Sequence, residues 1–125
     1  MILVDTDVLI AHLRGDERAR SWLREARIAG PLVTSVVTVV ELTGGMRSDE
    51  RGAVRVLLGV LDPVPVTELI ALRAGEFMRQ YRRSHSGIGV AHFLIAATAE
   101  TRSARLATLN TKHFPMLEDV ERPFG

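Results

Sequence analysis

Five side chains of this sequence have the types needed to gather cations around a phosphate ester: Asp5, Asp7, Glu41, His92 and Asn110. Carboxylates brought close together repel one another, a cost that hard divalent cations such as Mg²⁺ or Mn²⁺ remove by binding between them. Ions held in that way activate a water and neutralise the charge that develops on a phosphodiester during in-line displacement. This is nuclease chemistry, and it needs a fold that brings residues far apart in sequence to one place. Other chemistries lack their residues. Cysteine is absent, so there is neither a thiolate nucleophile nor a thiolate metal site. No serine sits in a nucleophile elbow, Gly87-Ile-Gly89 is too short for a nucleotide fingerprint, and there is no Walker A motif.

Each of the five also has a plain structural role open to it. Asp5 and Asp7 both stand where a helix N-cap is wanted, and capping is the expected role of Asp7. Glu41 closes the pattern Thr38-Val-Val-Glu41, which has the form of a capping box. Asn110 suits a turn, and His92 on an apolar helix suits a hydrogen-bonded core position.

The elements that must position these residues follow from periodicity and breakers. Met1–Val4 is a short apolar run that turns at Asp5-Thr6-Asp7 into a helical pattern from Val8. Asp16 caps a second helix ended by Gly30-Pro31. The run from Leu32 divides into a strand at 32–35 and a helix from about 36, weakened at Gly44-Gly45. A further helix spans about 49–61 and stops at Asp62-Pro63, and Val64-Pro65-Val66 reads as a short third strand, or an edge. Thr67 caps a long helix, Ser84–Gly89 is a polar loop, and residues 90–101 are apolar on nearly every side, as a covered central helix requires. A strand at Arg105–Thr108 and a turn at Asn110–Phe114 follow. This alternation predicts an α/β domain with a mostly parallel sheet, whose ligands bind beyond the carboxyl ends of the strands. Asp5, Glu41, His92 and Asn110 are expected to meet there.

With 125 residues, 46% hydrophobic and 25% charged, the chain is expected to form one compact domain over residues 1–125. No stretch approaches the roughly 18 uncharged residues of a membrane span, so no membrane role and a cytoplasmic location are expected. Net charge is +1, but 15 of the 16 basic residues are arginine, the side chain that grips phosphate bidentately. Arginines at 47, 51 and 55 and at 79, 82 and 83 form stripes that suit solvated helix faces. Arg82, Arg83 and His85 are the better candidates for holding RNA phosphates, because they precede the loop that feeds the central helix and are expected to lie near the metal edge.

Four blocks carry a family resemblance over nearly the whole chain: Ile2-Leu-Val-Asp5-Thr-Asp7-Val-Leu-Ile10, Val39-Val-Glu41-Leu, Gly87-Ile-Gly-Val-Ala-His-Phe-Leu-Ile-Ala-Ala-Thr98 and Leu106-Ala-Thr-Leu-Asn110-Thr-Lys-His-Phe114. Together they resemble the signature blocks of VapC-type PIN domains, the ribonuclease toxins of type II toxin–antitoxin pairs. The resemblance implies a three-layer α/β/α sandwich, Mg²⁺- or Mn²⁺-dependent RNA cleavage, a homodimer, and a cognate VapB-like antitoxin. It places Asp5 and Glu41 at the first two acidic ligand positions and Asn110 at a fourth that varies between Asp and Asn. The third position, Asp in the family, is His92 here. Three expectations follow: His92 ligates and shifts preference towards Mn²⁺ or Zn²⁺; Asp7 supplies the missing charge; or metal binding weakens and the chain mainly binds its antitoxin. A phosphoacceptor receiver domain has similar length and alternation, but it needs an acceptor Asp after its third strand, and Val64-Pro-Val66 offers none.

Overall fold

A computed structural model describes residues 1–125. Five strands, β1 (Ile2–Val4), β2 (Leu32–Ser35), β3 (Asp62–Val64), β4 (Arg105–Ala107) and β5 (Val120–Glu121), form one sheet in the order β3-β2-β1-β4-β5. Every pairing is parallel. The helices are α1 (Thr6–Leu13), α2 (Glu17–Ala29), α3 (Val36–Gly45), α4 (Arg51–Val60), α5 (Glu68–Tyr81) and α6 (Val90–Thr101).

Because successive strand residues face opposite sides, each strand feeds two cores. Leu3, Val33, Val64 and Leu106 pack with Ile70 and Phe77 of α5 and Phe93 and Ile95 of α6. Val4 and Leu32 pack on the other side with Val8, Leu9, Leu23, Leu42, Val54 and Leu57 of α1 to α4. The result is the expected α/β/α sandwich. Residues 95–99 of α6 are buried without a break, in keeping with its apolar surface all round.

Chain order reverses direction across β1: β2 and β3 build outward on one side, β4 and β5 on the other. The gap between β1 and β4 is therefore the topological switch point, where a parallel sheet leaves a crevice at the carboxyl ends of its strands. Asp5 follows β1 and Asn110 follows β4.

Several local expectations are corrected. Helix α1 starts at Thr6, two residues before Val8, because Asp5 itself caps it by accepting from the Thr6 N–H. Helix α3 is capped by Ser35 through the Val37 N–H, so Thr38 lies inside the helix and Thr38–Glu41 is no capping box. The third strand is Asp62–Val64 instead of Val64–Val66: it lies at the sheet edge, where Pro63 opposite Thr34 is tolerated. The stretch expected as one helix over 49–61 opens with a 3-10 turn at Ser48–Glu50 before α4. The edge strand β5 was not anticipated, since two residues with one apolar side chain carry no readable period.

Candidate active site

At the switch point, Asp5, Asp7, Glu41, His92 and Asn110 line one cavity of about 200 Å³, with Thr6 among them and Ile10 and Ile95 as apolar walls. A larger cavity of about 570 Å³, bordered by α2 and α4, carries arginines and aliphatic groups but no carboxylate. Of these two, the smaller one has the residues for metal-assisted hydrolysis.

Asp5 is the most enclosed of the acids, only 6% exposed. Its Oδ1 accepts from the Thr6 N–H at 2.8 Å, and its Oδ2 accepts from the Thr108 hydroxyl at 2.8 Å. Burial, then the neighbouring Asp7 charge, pushes its pKa up to about 6 against the opposing hydrogen bonds from Thr108 and Thr6. Asp7 does not cap a helix. Its carboxylate reaches the segment that follows β4 and accepts from the Leu109 N–H at 3.1 and 3.2 Å and from Thr108 at 3.3 Å. Burial is the first cause raising its pKa, and the Leu109 N–H is the first to oppose it.

Glu41 reaches back from α3, where its Oε1 accepts from the Thr6 hydroxyl at 2.6 Å. The Thr6 hydroxyl is also 3.0 Å from that of buried Thr38. Asn110 is held twice: its N–H donates to Thr108 Oγ1 at 3.1 Å, and its Nδ2 lies 2.8 Å from His113 Nδ1. Thr6, Thr38 and Thr108 thus carry the carboxylate network, and sequence reading missed all three. Thr6 and Thr108 do fall inside the quoted blocks beside Asp5 and Asn110, the one signal that could have singled them out.

His92 lines the same cavity and is hydrogen-bonded within the chain. It is half-buried at the start of α6, and its Nδ1 accepts from the Gly89 N–H at 3.1 Å, which is one half of a capping box. The ring lies 4.6 Å from that of His113 and 5.6 Å from that of Phe114. Burial, then the neighbouring His113, lowers its pKa, with Glu41 and Asp7 opposing. Arg82 and Arg83 are exposed at the end of α5 and are not among the residues lining the cavity.

As a metal site the cavity offers an all-oxygen set, Asp5, Asp7, Glu41 and the Asn110 amide, which suits a hard divalent cation. A buried acid whose pKa has risen to about 6 beside another acid is the electrostatic situation that a cation relieves. As the side chains stand, no three of the acidic or imidazole groups are spaced to hold one ion. Thr6 and Thr108 engage oxygens that a cation would share.

A parallel α/β/α sandwich with carboxylates at this switch point defines a class, and comparison with known families agrees. The PIN-domain model matches residues 2–118, and the chain belongs to that family. Among its relatives, Ribonuclease VapC10 of Mycobacterium tuberculosis is 58% identical over 125 residues, covering 100% of this chain and 94% of that protein. Ribonuclease VapC19 of the same organism is 38% identical, covering 99% and 100%. A solved toxin–antitoxin complex from Klebsiella pneumoniae contains a chain that superposes with a TM-score of 0.81 at 25% identity, covering 99% and 98%. No helix of the chain is long and apolar enough to cross a membrane.

Proposed function

We propose that this protein is a metal-dependent endoribonuclease and the toxin of a toxin–antitoxin pair. The observation that carries the reading is the cavity at the β1/β4 switch point, where Asp5, Asp7 and Glu41 converge although Asp5 is buried and its pKa raised. The ribonuclease names of its relatives at 58% and 38% identity support the same chemistry, and the Klebsiella toxin–antitoxin complex supports an antitoxin partner, which the family resemblance makes VapB-like.

Asp5 and Glu41 would hold Mg²⁺ or Mn²⁺, with Asp7 supplying further negative charge and Asn110 completing the site directly or through water. The bound cation supplies an activated water and neutralises charge on the phosphodiester. The chain's own contribution is positional. Thr108 fixes Asp5 Oδ2 and the Asn110 backbone together, Thr6 fixes Glu41 against α1, and the Leu109 N–H keeps Asp7 facing β4. Arg82 and Arg83, outside the cavity, would hold RNA phosphates further along the strand.

Purified protein is expected to cut RNA internally in Mg²⁺ or Mn²⁺ and to stop when EDTA is added. Glu41→Gln, which keeps the shape but removes the charge, should slow cleavage at least about tenfold. Undiminished cleavage in EDTA would refute the assignment.

A further inference from the structure

The resemblance puts His92 where the family carries a third acid, and the hydrogen bonding around it bears on what it does there. A neutral imidazole has one lone-pair nitrogen and one N–H. Here Nδ1 is the acceptor, since the Gly89 N–H points at it. The proton therefore resides on Nε2, which makes no hydrogen bond within the chain and is not an enclosed orphan. Ligating a cation through Nδ1 would strip the Gly89 N–H of its partner at the start of α6, and ligating through Nε2 would require that nitrogen to shed its proton. The His113 and Phe114 rings pack against the imidazole and resist its turning over.

His92 nevertheless lines the cavity with Asp5, Asp7 and Glu41. Those carboxylates repel the phosphodiester that the proposed reaction must admit. An N–H donor at the first turn of α6, where the helix dipole already favours negative charge, offsets that repulsion. Ala91 and His92, both from that first turn, border the cavity.

We infer that His92 caps α6 through Nδ1 and donates its Nε2–H to a phosphate oxygen of bound RNA, and that it is not a ligand of the divalent cation. The RNA half of this inference rests on the nuclease reading, whereas the tautomer and the absence of ligation do not.

Two measurements test it. Long-range ¹⁵N–¹H NMR of the imidazole rings should show His92 as the Nε2–H tautomer, unchanged at saturating Mg²⁺. Loss of the Nε2 proton with a metal-bound nitrogen shift would overturn the inference. Fluorescence anisotropy with a short single-stranded RNA in EDTA should show His92→Ala binding about tenfold more weakly, the loss of one charge-assisted hydrogen bond. His92→Gln should recover most of that affinity, because its carbonyl can accept from Gly89 while its amide donates. A capping role alone would leave RNA affinity equal in all three proteins, and that equality, even if all bind feebly, would overturn the donor role. Failure to cleave RNA in Mg²⁺ would sink the nuclease reading while leaving the NMR result standing.

Discussion

Asp5→Asn should abolish RNA cleavage and at the same time make the metal-free protein more stable at neutral pH. Asn is nearly isosteric, and its Oδ1 can still accept from the Thr6 N–H. The Thr108 hydroxyl, which now donates to Asp5 Oδ2, can accept from the new amide and turn its proton to Asp7 Oδ2, 3.3 Å away. Little hydrogen bonding is lost, but the negative charge is gone. In the folded protein burial raises the Asp5 pKa from 3.8 to about 6, so the fold binds this proton more tightly than the unfolded chain does. Stability from this group is complete below the unfolded value and is lost as pH rises through about 6. At about 1.4 kcal/mol per unit, the ionised form costs the metal-free fold on the order of 3 kcal/mol. Burying an amide returns part of that cost, so a gain of about 1–2 kcal/mol is expected at pH 7.5, or several degrees in Tm. Urea melts in EDTA should show the wild type losing stability between pH 4 and 7 while the variant changes less. Cleavage in Mn²⁺ should fall more than about a hundredfold with loss of a ligand carboxylate. A variant that melts below the wild type at pH 7.5 would mean that Asp5 is a structural acid, and retained cleavage would remove it from the site.

The parts of the fold that were legible in the sequence are those with strong local causes. The break between β2 and α3 at Ser35/Val36 was placed correctly because Leu32-Val33 fills an inner strand while Ser35 supplies a cap. Helix α6 was legible because no soluble helix can be apolar on every face unless it is covered. What was not legible depends on contacts between distant segments. Asp5 and Asp7 are equally good caps by type, and only the approach of Leu109, 102 residues away from Asp7, decides which one caps α1 and which one crosses the sheet. Glu41 matched a capping box by spacing, yet its partner is Thr6, 35 residues back. The single-residue reading of His92 as a hydrogen-bonded histidine described its Nδ1 correctly. Residue type also admitted metal ligation, and the family resemblance gave that reading its position at the start of the central helix. Arg82 and Arg83 were placed near the site from chain order alone, but they stand outside the cavity lining on an exposed helix end.

The residue on which the site depends most for stability is one that carries no charge. Thr108 is fully buried, and its single hydroxyl donates to Asp5 Oδ2 at 2.8 Å, lies 3.3 Å from Asp7 Oδ2 and accepts from the Asn110 N–H at 3.1 Å. Thr108→Val keeps the shape and the β-branching that suits the end of β4, so neither packing nor propensity should suffer. It would leave a buried carboxylate oxygen and a backbone N–H without these partners, at about 1–3 kcal/mol for each unpaired group. A loss of about 3 kcal/mol is therefore expected at pH 8, with Thr108→Ser close to the wild type because it keeps the hydroxyl. The loss must shrink at acid pH. The Thr108 hydroxyl stabilises the ionised form of Asp5, so removing it raises that pKa further and does least harm where Asp5 is already protonated. Equal stability of Thr108→Val and wild type at pH 8 would contradict the network. The double variant with Asp5→Asn separates packing from electrostatics. If the hydroxyl acts through the Asp5 charge, the Val substitution should cost at least about 1 kcal/mol less in the Asp5→Asn background than alone, whereas additive losses would place its effect elsewhere in the fold.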